Sequence, residues 1–317
     1  MTEFVTFATF FRKYILYMGN NKPLQAHMSM LAAGVFGGLN APIGKDAMLH
    51  GIDNISLVSF RVVGAAVLFW LTSVFVREHM PWKHVLYMGV AALLAVVFNQ
   101  CLFIIGLSLT SPINSSIVTT SMPIFAMILS FFILKEPITW MKAGGVAIGC
   151  AGAIFLILSS AQGDGKAGDI LGDLLCVFAQ FSFAIYLAIF NPLVKKYNVV
   201  TVNKWMFTWA CLFILPFTGG HVAEMPWDAI AGKTWLEAGF VVVFATFFSY
   251  LFSVVGQRIL RPTVVSVYNY VQPIVSVAVS VATGLGVFTV RHAIAIVLVF
   301  TGVWMVIKSK SKRDMQG

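Results

Sequence analysis

The chain has 317 residues, of which 59% are apolar and only 10% charged, against roughly 25% charged residues in a soluble domain. This composition excludes an ordinary water-soluble protein, and no polar stretch is long enough for a soluble domain. The formal net charge of +9 points to nucleic acid only if the basic residues gather on one folded surface. They follow the loops between apolar runs instead, so nucleic acid is excluded as a partner and the lipid bilayer is expected.

Residues 1–25 read as a cytoplasmic lead-in. Glu3 stands where a cleavable signal needs positive charge, the apolar stretch from Phe4 to Phe11 is short, and Arg12-Lys13 follows it. A bilayer core needs about 20 apolar residues at helical rise. Runs of that kind are predicted at 26–47, 55–76, 84–108, 112–134, 140–160, 169–192, 201–219, 236–258, 263–283 and 290–308. The expected fold class is an all-α polytopic membrane protein with ten transmembrane helices, closed by a basic cytoplasmic tail at 309–317. An even number of crossings puts both termini on one side. That side then holds sixteen Lys and Arg, against four (Lys45, Lys166, Lys233 and Arg291) on the other, with Arg61 set inside a helix. The asymmetry predicts cytoplasmic termini. Cys101, Cys150, Cys176 and Cys211 fall in different apolar runs without CxxC spacing, which suits small core residues rather than disulfides or metal ligands. No metal and no cofactor is expected.

Shifting the chain by 150 residues aligns 102–157 with 252–307 without a gap, bringing Gly106, Pro112, Ser116, Pro123, Ser130 and Gly152 onto Gly256, Pro262, Ser266, Pro273, Ser280 and Gly302. Duplication of a five-helix unit accounts for this, with a first repeat at 26–160 and a second at 161–308. An odd number of crossings per unit makes the second enter from the opposite face. Such inverted repeats usually enclose a substrate site near the midplane. Pro123 and Pro273 lie at equivalent depths, each preceded by polar residues, and read as paired helix kinks beside a central cavity.

Charged residues inside a span are costly, which singles out Arg61, about 10 Å from the outer end of its helix by helical rise. Two readings stay open. It is either a cation at the cavity lip, or a side chain that snorkels outward to pair with Asp46 or Asp53. Lys45, at the end of the first span, is a second possible gate or lip charge. No Asp or Glu occupies the centre of a predicted helix, and His27, His221 and His292 lie near helix ends, so no proton relay is evident.

The residues also resemble a known family, the drug/metabolite transporters built from two EamA domains, which include bacterial exporters of amino acids and metabolites. The resemblance covers about residues 26–308. It rests on Phe36-Gly37-Gly38-Leu39-Asn40 leading to Lys45, on Ser59-Phe60-Arg61, on Asn99-Gln100-Cys101 running into Thr110-Ser111-Pro112, and on Leu134-Lys135-Glu136-Pro137. Glu136 is a further possible gate charge, but its repeat mate is replaced by Gly284-Leu285-Gly286, so the two gates are expected to be unequal. The resemblance implies that Asn40, Asn99, Gln100, Ser116, Thr119, Gln180, Tyr186, Tyr250, Tyr268, Asn269 and Gln272 lie on helices around the central cavity.

The expected function is a secondary transporter in the inner membrane of a bacterium. It would export small metabolites, amino acids or similar amphiphiles, by alternating access. A nucleotide-sugar or phosphorylated-sugar exchanger is the rival within the superfamily, and it would need several basic residues in the lining. An enzyme is not expected, since HExxH, GxSxG and paired His or Asp at helical spacing are absent. A membrane scaffold would not need kinked polar helices. The partner is a small-molecule substrate, and monomer and homodimer both remain open.

Overall fold

The computed structural model describes residues 23–76, 78–134, 139–161, 168–260 and 268–308. Glu136 lies outside them. The described residues form α1 (Pro23–Leu49), α2 (Asn54–Ser73), α3 (Trp82–Leu109), α4 in two pieces (Pro112–Thr119 and Met122–Leu134), α5 (Trp140–Ala161), α6 (Gly168–Lys196), α7 (Val199–Ala223), α8 (Gly232–Ile259), α9 (Val271–Ala282) and α10 (Val290–Lys308). Among these residues no β-strand occurs. By length and composition α2, α3, α6, α7 and α8 are long and apolar enough to cross a membrane, and shorter apolar stretches lie at Ala143–Gly152, Val271–Ala282 and Val290–Gly302. Large apolar side chains cover the outside, with Trp140 95%, Phe217 82% and Leu236 77% exposed. Water would not tolerate that coat, whereas lipid solvates it. The chain is a multi-pass membrane protein.

Local chemistry fixes several helix starts. The Asp53 carboxylate accepts hydrogen bonds from Ile55 N and Ser56 N at the head of α2, and Asn198 Oδ1 accepts one from Val200 N at the head of α7. The Ser111 hydroxyl caps α4, followed by Pro112, which needs no N–H partner in the first helical turn. At the end of α9, Gly284 adopts φ +73°, a left-handed conformation that lets the chain turn back toward α10.

The two halves pack by the same plan. α5 packs on α10 and α2 on α7, while α6 contacts α3 and the second piece of α4 as α1 contacts α8 and α9. The α5–α10 contact shows the symmetry directly. A Cβ on Gly152 would lie 2.9 Å from Val299 Cγ2, and one on Gly302 would lie 2.8 Å from Gly149 Cα. Residues 152 and 302 are repeat mates, as are 149 and 299, so each contact maps onto the other with the roles exchanged. That reciprocity is the signature of a two-fold relation. Positions 149 and 152 meet 302 and 299 in that order, so these equivalent helices run antiparallel, which makes the repeats inverted.

A second correspondence was not legible in the residues. α3 contains a π turn at Leu93–Phe98, and α8 contains one at Val243–Phe248, again 150 residues on. Each flanking α segment keeps the same offset, Trp82–Ala92 with Gly232–Val242 and Asn99–Leu109 with Ser249–Ile259.

α4 and α9 depart from the expected proline kinks. α4 is interrupted at Thr120–Ser121, and Pro123 is the second residue of the piece that follows. α9 starts after a turn at Asn269–Tyr270, with Pro273 as its third residue. In both cases the chain breaks before the proline, which then occupies a first helical turn where its missing N–H costs nothing. Around the break in α4, the hydroxyls of Thr119, Thr120 and Ser121 donate to the carbonyls of Ser116, Ile117 and Val118, satisfying groups that lipid could not.

Candidate functional site

The breaks in α4 and α9, the π turn of α8 and the residues just after the π turn of α3 converge on one cavity of about 130 Å3, walled also by α1, α2 and α6. At ~30 Å3 per water molecule, this volume suits a compact metabolite. Of the residues expected there, Asn40, Asn99, Gln100, Thr119, Gln180, Tyr186, Tyr250, Asn269 and Gln272 line it. Thr119, Met122, Asn269 and Gln272 come from the two helix breaks, where an interrupted backbone leaves side chains facing inward.

The π turns position much of the wall. A π turn is wound one residue wider than an α turn and displaces carbonyls from the regular ladder. Side chains take them up here. Ser182 Oγ donates to Leu94 O at 2.6 Å, Tyr250 OH to Ala95 O at 2.8 Å, and Thr246 Oγ1 to Val241 O at 2.8 Å. Tyr250 OH also accepts from Gln100 Nε2 at 3.0 Å. Gln100 and Tyr250 are 150 residues apart, and repeat mates can touch only beside the axis that exchanges them. The cavity therefore sits on the pseudo-two-fold axis. Asn99 Nδ2 donates to Ala179 O at 2.9 Å, tying α3 to α6.

Ser116 and Tyr268 are placed elsewhere. The Ser116 hydroxyl meets that of Ser276 and donates to Pro112 O at 2.6 Å, joining α4 to α9. Tyr268 OH bonds His27 Nδ1 at 2.8 Å, away from the cavity at the start of α1. Both are contacts between segments, the alternative fate of any polar residue in a helix bundle.

Arg61 takes neither position read from the sequence. It is 3% exposed and lines the cavity itself, with Nε donating to Thr246 Oγ1 at 2.9 Å. It does not snorkel outward to Asp46 or Asp53. Asp46 pairs with Lys233 at 2.9 Å and with His50 at 3.2 Å, and Asp53 caps α2. Lys45 is no lip charge either: its Nζ donates to Leu107 O, Ser108 O and Thr110 O at 2.8–3.0 Å. A cation thus sits where the α3 carbonyls run out of N–H partners and the helix dipole is negative.

Several functional candidates were missed. Ser253 and Gln257 join Ser249 on the cavity wall; their spacing of four along the span 236–258 puts all three on one helical face and was a usable signal. Asp173 is fully buried, with Oδ1 accepting from Thr110 Oγ1 at 2.7 Å and Oδ2 lying 3.5 Å from Asn114 Nδ2. Asn114 Oδ1 in turn lies 3.0 Å from His292 Nε2, while Thr289 N donates to His292 Nδ1. Nδ1 is therefore the acceptor of that ring and Nε2 its donor. With Lys45 these residues make a polar cluster where α3, α4, α6 and α10 meet. Asp173 was passed over because it lies near the start of its span, a place that usually remains solvated; here the close approach of Gly106 and Gly172 covers it. Among the described residues no group of His, Cys, Asp or Glu could hold a metal ion.

A family model described as the EamA-like transporter family matches residues 24–158 and 170–308. The uncharacterized transporter YetK of Bacillus subtilis is 23% identical over 92% of this chain and 90% of its own. An uncharacterized transporter of Archaeoglobus fulgidus is 23% identical, over 82% and 90% respectively. A crystal structure 16% identical in sequence superposes with a TM-score of 0.63, covering 90% of this chain and 98% of its own, a likeness of fold.

Proposed function

Since this chain belongs to the EamA-like transporter family, we propose that it is a secondary transporter exporting small amphiphilic metabolites, foremost amino acids, across the cytoplasmic membrane by alternating access. The observation that carries this reading is the cavity on the pseudo-two-fold axis. A site on the axis that exchanges two inverted halves can be opened to either face by rocking one half against the other, with the substrate left in place. Amides, hydroxyls and phenols from both halves meet there beside the rings of Phe103 and Phe183, a lining matched to a molecule with polar and apolar ends. Phosphorylated sugars fit poorly, because Arg61 is the single basic residue among the described lining residues and a phosphate calls for several.

Proteoliposomes preloaded with each of the twenty protein amino acids, or with sugar phosphates, test the proposal, with efflux followed in the presence and absence of a pH gradient. Saturable efflux of apolar amino acids is expected. Efflux of sugar phosphates, with none of the amino acids, would overturn the substrate assignment.

A further inference from the structure

Arg61 is the single charged residue among the described residues lining the cavity, and nothing described there neutralises it. Its Nε is held by Thr246 Oγ1. The Thr246 hydroxyl proton is already committed to Val241 O, five residues back across the π turn, so its lone pair is what faces the guanidinium. That contact fixes the plane of the guanidinium but supplies no charge. Nη1 is buried and lacks a hydrogen-bond partner among the described residues. On the α1 wall of the same cavity, Asn40 Oδ1 is also buried and unpartnered. A buried guanidinium edge without an acceptor is unfavourable, and so is a buried carbonyl without a donor. One small molecule carrying an anion and an N–H group would satisfy both.

Resting on the transporter reading above, we propose that Arg61 anchors the carboxylate of an amino-acid substrate and that Asn40 Oδ1 accepts a hydrogen bond from its amino group. The guanidinium presents its donors in a plane that matches a carboxylate, whereas a lysine would offer only a point charge. The cavity carries one positive charge and no acid among its described lining residues, so a bound zwitterion leaves the site with the charge of Arg61 alone, while a bound amine adds a second cation. Selectivity follows from electrostatics. Amino acids enter, and their carboxamides and decarboxylated amines are refused.

The test compares the twenty protein amino acids with their α-carboxamides on the full-length protein, by counterflow in proteoliposomes and by ligand-dependent thermal stabilisation in detergent. Uptake and stabilisation by the acids, with the amides weaker by about 10- to 100-fold, are expected from the strength of a hydrogen bond to a charged group. Arg61→Gln should bring acids down to the level of amides, and Arg61→Lys should recover part of the difference. The wild-type comparison needs no variant, so it stands even if Arg61→Gln fails to fold. Equal uptake of acids and amides, or an Arg61→Gln protein that still prefers acids, overturns the carboxylate anchor while leaving the transporter reading intact. Stabilisation by acids without uptake overturns the transporter reading and leaves the anchor. Neither uptake nor stabilisation by any of the twenty overturns both.

Discussion

The Tyr250 hydroxyl holds two halves of the molecule together at one atom, giving its proton to Ala95 O and accepting from Gln100 Nε2. Replacing Tyr250 with Phe leaves a displaced carbonyl and an amide unpaired in a medium that cannot hydrate them, at a cost of about 1–3 kcal/mol. Tyr250→Phe is therefore expected to lower both the melting temperature and the transport rate. Gln180 also lines the cavity but makes no side-chain hydrogen bond among the described residues, so Gln180→Leu should impair transport while the melting temperature stays within a degree or two. A large fall in melting temperature for Gln180→Leu would show that it packs rather than binds. At this scale the sequence shows which side chains are too polar for lipid, and nine of the eleven expected lining residues do reach the cavity. It does not show which way a charged one turns. Arg61 points inward because a π turn presents the Thr246 hydroxyl to it, and no residue pattern announces a π turn.

Helices in this protein are interrupted where the cavity needs side chains and are capped where their ends meet. Lys45, reaching from α1 to the last carbonyls of α3, is a cap supplied by another helix. Lys45→Met should cost about 1–3 kcal/mol, the worth of hydrogen bonds to a charged group in a partly buried place, and should appear as a lower melting temperature even in transport-inactive protein. An unchanged melting temperature would assign Lys45 a role in substrate passage instead. The α5–α10 contact is tighter still. Gly302 lies so close to Gly149 that any side chain meets backbone, which cannot swing aside. Gly302→Leu is expected to cost about 3 kcal/mol, at the upper end for overpacking, and to reduce the yield of folded protein. The paired prolines and the 150-residue shift were readable because proline spacing survives duplication. Spacing alone does not reveal that each proline begins a helix rather than bending one.

Seen whole, the molecule is two inverted copies of one unit in which mates meet on the axis at Gln100 and Tyr250 and across it at the α5–α10 glycines. The ends of the bundle are not equivalent. Asp173, Asn114, His292 and Lys45 cluster where α6 begins, whereas among the described residues His27 and Tyr268 meet at the start of α1. The duplication is legible in the 150-residue shift, and its inversion follows from the odd number of crossings per unit. The charged cluster depends on how α6 packs under α3, which residue order does not specify, and Glu136, expected as a gate charge on the other side, lies outside the described residues. The central claim is that the cavity on the axis is the place from which substrate is exposed alternately to each face. Its most direct test is a single cysteine at Gln272, on the cavity wall, in a protein whose four native cysteines are replaced by serine or alanine. A small membrane-impermeant thiol reagent is applied separately to right-side-out and inside-out vesicles. Reaction from both faces, slowed from both by a transported amino acid, is the predicted result; reaction from one face alone, or rates indifferent to substrate, would contradict it.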